Sequence, residues 1–262
     1  MSEVIPKKSL GQHWLHDEAT LDAIADCADV QSGNEVLEVG PGLGTLTRRL
    51  LERGAQVTAV EFDEALARDL RRLQDESGGA LQVVCEDILR FDLTQLAPDY
   101  KVVANIPYYL TSNLIRVLTE STNPFSTAAI LIQKEVAERA AAKPGQMSLL
   151  SVSAQYYCEV SLGPVVPADL FTPPPKVDSQ VLVLTYRSDP LYPNVNTKQF
   201  FRVVHAGFSQ KRKTLENALS GGLAMPKEQA RILCEAAGIK PGQRAQALTL
   251  DDWYALYKQV SP

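Results

Sequence analysis

Five short apolar runs impose the strongest constraint on what this 262-residue chain can fold into. They read NEVLEVG, AQVTAVE, LQVVCED, KVVANIP and TAAILIQ, and they are separated or followed by TLTRRLLERG, DEALARDLRRLQDE, TSNLIRVLTES and KEVAERAAAK, whose apolar residues recur at helical spacing. Near-continuous Val, Ile and Leu runs suit strands buried on both faces, and their alternation with helices of this length builds an α/β fold around a parallel sheet. Asp17 caps a helix carried by Leu21, Ile24, Ala25 and Ala28, and Gly54, Gly78 and Gly145 are placed to close helices. SLLSVSAQYYC reads as a further helix, and EVSLGPVV and SQVLVLTYR as two late strands joined by PADLFTPPPKVD. From SDPLYPN onward the pattern is helical only: TKQFFRVVHAGF, KRKTLENALS, PKEQARILCEAAG and TLDDWYALYKQ. The expected division is a sheet domain over 1–188, with an N-terminal arm over 1–16, and a helical domain over 189–262. A hydrophobic content of 45% is enough for one large core and a smaller appendage.

No apolar run approaches the ~18 residues of a membrane span. The first twenty residues lack the apolar stretch of a secretory signal, so a cytoplasmic location is expected. Cys27, Cys85, Cys158 and Cys234 stand far apart without a CxxC pair, and the three histidines do not cluster near them, which suggests neither a disulfide framework nor a zinc site. The net charge of −5 is unevenly divided: 16 basic against 26 acidic residues up to Asp189, then 10 against 5 from Pro190. Pro190 to Leu215 holds no acidic residue but carries Lys198, Arg202, Lys211, Arg212 and Lys213. Such asymmetry points to a phosphate-rich partner, although a solvated helix face accounts for a charge run equally well.

In doubly wound sheets, ligands bind beyond the carboxyl ends of the strands where strand order reverses. EVLEVGPGLGTLT ends the first of the five runs, so Gly40, Gly42 and Gly44 let the backbone turn tightly beside a ligand. A dinucleotide fingerprint would require glycine at position 45, which is Thr45; the GxGxG pattern, with Glu38 two residues ahead, suits a cofactor with an amino-acid tail. A tight structural turn is the alternative, and the next two strand ends decide against it. Glu61, about twenty residues on, is placed to accept from both hydroxyls of a ribose. Asp87 is placed to accept from an adenine amino group, with Phe62 and Ile88 as apolar walls. An adenosine with no phosphate requirement is implied, and S-adenosylmethionine is the candidate.

KVVANIPYYLTSN ends the next strand in an amide, a proline and an aromatic ring. The adenine amino group is a poor nucleophile because its lone pair is delocalised into the ring. If the Asn105 side-chain oxygen and the Ile106 carbonyl each accept one of its protons, the nitrogen pyramidalises and its lone pair can face a methyl donor. Pro107 fixes the backbone that aims both acceptors, and Tyr108 can stack on the purine, worth roughly 1–3 kcal/mol per base. A sulfonium leaving group needs no protonation, so the step depends on alignment. Asn and Pro also mark plain turns; it is their register after three other strand-end motifs that points to chemistry.

KKSLGQHWLHD, LEVGPGLGTLT, VEFD, EDIL, NIPYYLTS, FTPPPKVDSQV and FSQKRKTLENAL, in this order, resemble the ribosomal RNA adenine N6,N6-dimethyltransferase family over nearly the whole chain, most closely its bacterial small-subunit (16S) branch. The resemblance implies a Rossmann-like class I methyltransferase sheet of seven strands with a small C-terminal all-helical domain. It also implies S-adenosylmethionine as donor, no metal, a monomer, and a role in ribosome biogenesis. The reaction would deliver four methyl groups to two adjacent adenosines in a hairpin loop near the 3′ end of 16S rRNA. Donor contacts fall on His13, Leu15, Gly40, Glu61, Asp87 and Asn105, and Phe171 would sandwich a flipped base against Tyr108. Lys7, Lys8, Lys211, Arg212 and Lys213 would contact RNA phosphates. His13 stands where many members have Asn, Trp14 where they have Phe, and Ile106 where Leu is frequent; a neutral imidazole nitrogen can replace the amide's hydrogen bond. His16 and His205 are read as structural. A large-subunit (23S) methyltransferase of the antibiotic-resistance type and a non-catalytic assembly factor are the competing readings.

Overall fold

The computed structural model describes residues 11–260. Its strands are β1 (Trp14–Leu15), β2 (Glu35–Val39), β3 (Gln56–Glu61), β4 (Leu81–Cys85), β5 (Lys101–Asn105), β6 (Thr127–Gln133), β7 (Cys158–Val166), β8 (Phe171–Thr172) and β9 (Ser179–Tyr186). Seven of them form one sheet in the order β4-β3-β2-β5-β6-β9-β7, and β1 pairs with β8 apart from it. The helices are α1 (Glu18–Cys27), α2 (Thr45–Glu52), α3 (Glu64–Glu76), α4 (Thr111–Thr119), α5 (Lys134–Ala140), α6 (Leu149–Tyr157), α7 (Thr197–Phe208), α8 (Leu215–Gly222), α9 (Lys227–Ala236) and α10 (Leu250–Val260).

The five strands read from the alternating runs, β2 to β6, are mutually parallel as expected. The chain steps outward from β2 to β3 and β4, then crosses back to lay β5 against the other side of β2. Strand order therefore reverses between β2 and β5, which is where such a sheet opens a crevice at its carboxyl edge. The two late strands depart from this direction at β9, which runs antiparallel to both β6 and β7. The cause is the connection: residues 167–178 contain only a single 3-10 turn and β8, without the crossover helix that a parallel neighbour needs. Val102 and Val103 are adjacent, point to opposite faces and are both fully buried, so the sheet is covered on both sides.

Three of the four capping signals, Asp17, Gly54 and Gly78, lie at helix ends. The Asp17 carboxylate accepts from the Thr20 N–H at 2.8 Å at the start of α1. Gly54 and Gly78, at positive φ, follow the ends of α2 and α3. Gly145 does not close α5, which stops at Ala140. The KRKTLENALS run is helical only from Leu215: Thr214 is extended, and its hydroxyl accepts from the Asn217 amide at 2.6 Å, leaving Lys211–Lys213 in the preceding turn.

Of the described residues, 11–138 with 158–186 form one compact unit, and 139–157 with 187–260 a second. The change at Tyr186/Arg187 lies beside the expected boundary, but 139–157, expected in the sheet domain, packs with the helices. The reason is apolar: Val152 and Tyr156 share a buried cluster with Phe200, Val204, Leu219 and Trp253. Burial of such side chains contributes about 1.5–3 kcal/mol each. Among the described residues no helix is long and apolar enough to cross a membrane.

Candidate active site

At the reversal point lies an open cleft of about 1270 Å³, mouth included, lined entirely by the first unit. Its floor is the turn from β2 into α2. Gly40, Gly42 and Gly44 all take positive φ, at 66°, 58° and 75°, a conformation that costs a residue with a side chain. At Gly44 a Cβ would also stand 2.7 Å from a Leu70 methyl, so glycine here lets α2 approach α3.

Glu61 ends β3 almost fully buried. Its Oε2 accepts from the Gly42 N–H at 3.0 Å and its Oε1 from the Asp63 N–H at 2.8 Å, which ties the acidic strand end to the glycine turn. Burial raises its pKa above the usual carboxylate range, while those backbone N–H groups pull the other way. Each oxygen retains a lone pair for a hydroxyl donor. Just after β4, Asp87 Oδ1 accepts from the Leu89 N–H at 3.0 Å, which closes the turn and leaves Oδ2 without a hydrogen bond among the described residues. Ile88 beside it is buried, whereas Phe62 is 62% exposed at the mouth.

Asn105 ends β5 on the same edge, and Ile106 behind it is buried. Pro107 is extended at φ −56° and turns the chain into Tyr108. The Tyr108 hydroxyl is 2.9 Å from Ser179 Oγ, and Ser179 is completely buried at the start of β9. That bond and a stacked contact with the His13 ring, 6.0 Å between centroids, hold the tyrosine.

Residues 11–15 line the cleft, and β1 pairs with β8, with Trp14 opposite Thr172 and Leu15 opposite Phe171. The Thr45 hydroxyl donates to the Leu15 carbonyl at 2.9 Å and fastens the arm to α2. His13 Nδ1 lies 2.6 Å from the Pro173 carbonyl. A carbonyl only accepts, so Nδ1 carries the hydrogen and Nε2 is the nitrogen left to accept from a ligand when the ring is neutral. Phe171 lines the cleft but is only 3% exposed.

The structure thus gathers His13, Leu15, Gly40, Gly42, Glu61, Phe62, Asp87, Ile88, Asn105, Ile106, Pro107, Tyr108 and Phe171 around one cleft. Lys211, Arg212 and Lys213 are exposed in the second unit, and Lys7 and Lys8 lie outside the described residues. Three further features escape a linear reading. Ser179 sits inside the FTPPPKVDSQV stretch, but nothing in the pattern says which residue would meet Tyr108. Glu38 is 1% exposed with neither carboxyl oxygen hydrogen-bonded among the described residues. Burial, reinforced by the nearby Glu61 charge, pushes it up to about 8; Thr47 opposes the shift, although its hydroxyl closes no bond to either oxygen. The Trp14 indole N–H is likewise buried without an acceptor.

A parallel sheet with one reversed strand, an open glycine turn and acidic residues at the next two strand ends defines a class I, S-adenosylmethionine-dependent methyltransferase. The profile of one family, described as ribosomal RNA adenine dimethylase, matches residues 5–261, and the chain belongs to that family. Two ribosomal RNA small subunit methyltransferase A proteins are similar to it: one from Dehalococcoides mccartyi, 38% identical over 95% of this chain and 87% of the relative, and one from Anaeromyxobacter sp. (strain K), 42% identical over 97% and 93%. Among solved structures, a dimethyladenosine transferase from Plasmodium falciparum is 26% identical with a TM-score of 0.76, covering 92% of this chain and 95% of its own. The 23S rRNA methyltransferase ErmE is 28% identical with a TM-score of 0.72, covering 95% and 100%.

Proposed function

We propose that this dimethyltransferase acts on 16S rRNA in the small ribosomal subunit, methylating N6 of two adjacent adenosines in a hairpin loop near the 3′ end. The observation that carries the chemistry is the Asn105-Ile106-Pro107-Tyr108 turn, which ends β5 at the strand-order reversal beside the glycine turn and Glu61. The small-subunit assignment is supported by the names of the relatives at 38% and 42% identity, against 28% for the large-subunit enzyme ErmE.

The residues present fit the donor: the glycine turn, Glu61, Asp87 and the His13 ring line one cleft, and the carboxylates keep acceptor lone pairs beyond their own backbone bonds. Glu61 takes the ribose hydroxyls, Asp87 the adenine amino group between Phe62 and Ile88, and Gly40, Gly42, His13 and Leu15 the tail. When bound, S-adenosylmethionine supplies an electrophilic methyl group on a sulfonium. Asn105 and the Ile106 carbonyl hold the target amino group so that its lone pair faces that methyl. Tyr108, fixed by Ser179, stacks on the base, and Phe171 is its opposite wall. A nitrogen–carbon bond forms as the sulfur–carbon bond breaks, and the amino proton is lost to solvent, so no general base is required. Residues 1–188 carry donor and chemistry; 189–262 contact RNA through Lys211, Arg212 and Lys213, joined by Lys7 and Lys8 of the arm. The protein works as a cytoplasmic monomer without a metal.

The decisive experiment is methyl transfer from labelled S-adenosylmethionine to unmethylated small-subunit particles, with large-subunit RNA in parallel, followed by nucleoside analysis. Dimethyladenosine at two adjacent small-subunit positions is the expected outcome. Label in large-subunit RNA alone overturns the substrate assignment; no label in either, with donor binding intact, makes the protein an assembly factor.

A further inference from the structure

Of the six large apolar side chains exposed among the described residues, only Phe62 and Tyr109 line the cleft. Phe62 follows β3, on the side where the donor's adenine is held. Tyr109 follows β5, on the side where the target base enters, and is 66% exposed with no part in the reaction above. A single exposed aromatic is ordinary on a protein surface, but this one adjoins the residue that stacks on the flipped base.

The local backbone aims the ring. Tyr108 and Tyr109 are successive residues of a 3-10 turn, Tyr108–Leu110, which sets their side chains about 120° apart. Tyr108 reaches inward to Ser179, so Tyr109 is turned out toward the mouth. The turn is closed by the Leu110 N–H on the Pro107 carbonyl and by the Thr111 hydroxyl on the Tyr108 carbonyl, both at 3.0 Å. On the arm side, a Cβ built on Gly11 would stand 3.9 Å from Cδ1 and Cε1 of the Tyr109 ring. Glycine there gives the ring a backbone neighbour along one edge and has no side chain to lay over its face.

The cleft is unsuited to holding RNA by its phosphates. Glu61, Glu86 and Asp87 line it, and among the described residues no lysine or arginine does. A nucleotide at the mouth is therefore gripped through its base, and an aromatic face serves any base because each has a π surface. Flipping one adenosine out of a loop also removes the stacking partner of the nucleotide next to it, and unstacked loop bases are recognised by stacking on aromatic side chains.

We propose that Tyr109 stacks on the base adjoining the flipped adenosine, so that of two adjacent adenosines one rests on Tyr109 while the other lies between Tyr108 and Phe171. The proposal rests on the substrate reading and deepens it, by naming what holds the second nucleotide.

The test is methyl transfer from saturating labelled donor to unmethylated small-subunit particles by the wild type, Tyr109→Phe and Tyr109→Leu, with calorimetric binding of S-adenosylhomocysteine to all three. Leucine keeps bulk and apolarity but has no π face. Tyr109→Leu should lower kcat/KM for the particle at least about fivefold, the lower end of the scale of base–aromatic stacking. Tyr109→Phe keeps the face and should restore kcat/KM to within about twofold of the wild type. S-adenosylhomocysteine affinity should change less than about twofold in either variant, which shows that the donor pocket is folded. Replacing the adjoining adenosine by uridine, with its smaller ring, should lower wild-type kcat/KM toward that of Tyr109→Leu and leave the variant little changed. Unchanged turnover by Tyr109→Leu, equal losses from leucine and phenylalanine, a parallel loss of S-adenosylhomocysteine affinity, or a uridine penalty that is absent or equal in wild type and variant would each overturn the proposal. A wild type that binds S-adenosylhomocysteine but labels no small-subunit particle would instead overturn the substrate reading itself.

Discussion

Asn105 and Glu38 stand at the ends of neighbouring strands, and their environments set them to opposite tasks. In the proposed reaction Asn105 supplies one of two acceptors for the target amino group, so Asn105→Ala should abolish methyl transfer while leaving most donor affinity, which Glu61 and Asp87 carry. Turnover at the wild-type rate in that variant, measured with labelled donor, would eliminate the clamp. Glu38 is buried and lies near the Glu61 carboxylate, and its pKa rises from 4.5 to about 8. Between those values the folded protein holds a proton that the unfolded chain has released, so folding stability is lost as pH rises through this window. A tenfold difference in proton affinity between the two states corresponds to about 1.4 kcal/mol. Glu38→Gln carries no such proton, so from pH 5 to pH 8 the wild type should lose on the order of 4 kcal/mol more stability than the variant, by urea denaturation. Parallel pH profiles would show that Glu38 is ionised in the fold. None of this was readable in the sequence beyond the position of Glu38 ahead of the glycines, because burial and the missing hydrogen bonds follow from packing against Thr47 and Glu61, not from spacing.

At the scale of elements, periodicity carried most of the fold. Strands β2 to β6 and the helices between them follow directly from apolar run length and capping residues, and the strand-end residues Glu61, Asp87 and Asn105 reach one cleft because parallel strands share a carboxyl edge. The direction of β9 follows from its connection and not from its apolar run, which reads the same either way: PADLFTPPPKVD carries no crossover helix, so the strand it leads to returns antiparallel. The allegiance of α6 was not legible: SLLSVSAQYYC precedes a strand in sequence, yet Tyr156 packs on Phe200 at 4.8 Å between ring centroids, inside the helical unit. That unit is closed by an approach that sequence does not reveal. A Cβ on Gly207 of α7 would come within 2.4 Å of the Trp253 ring of α10, a rigid, fully buried neighbour. Alanine is the better helix former by about 1 kcal/mol, but overpacking against an aromatic costs about 1–3 kcal/mol. Gly207→Ala should therefore lower the denaturant midpoint of the helical unit, followed by circular dichroism; a more stable variant would show that α7 and α10 are not in close contact.

For the molecule as a whole, charge and chemistry are divided along the chain. The residues up to Asp189 carry an excess of acidic groups and include the whole cleft, while those from Pro190 carry an excess of basic groups. An acidic cleft serves a cationic donor, since the sulfonium and the tail ammonium are both positive, but it repels a polyanionic substrate. Affinity for RNA must then come from elsewhere, and Lys211, Arg212 and Lys213 are exposed, without an acidic partner among the described residues. Charge placed this way binds by releasing counterions from phosphate, which makes affinity fall linearly with salt on logarithmic axes, by about 0.7 in slope per contact on single-stranded RNA. Replacing all three by glutamine should weaken binding of a 16S hairpin and flatten its salt dependence by up to about 2 in slope. Affinity for S-adenosylhomocysteine should be unchanged, because none of the three lines the cleft. The two readouts separate the explanations: a flattened slope with donor binding intact assigns the turn before α8 to RNA, whereas an unchanged slope makes these residues a solvated surface and moves the phosphate contacts to Lys198, Arg202 or the N-terminal arm.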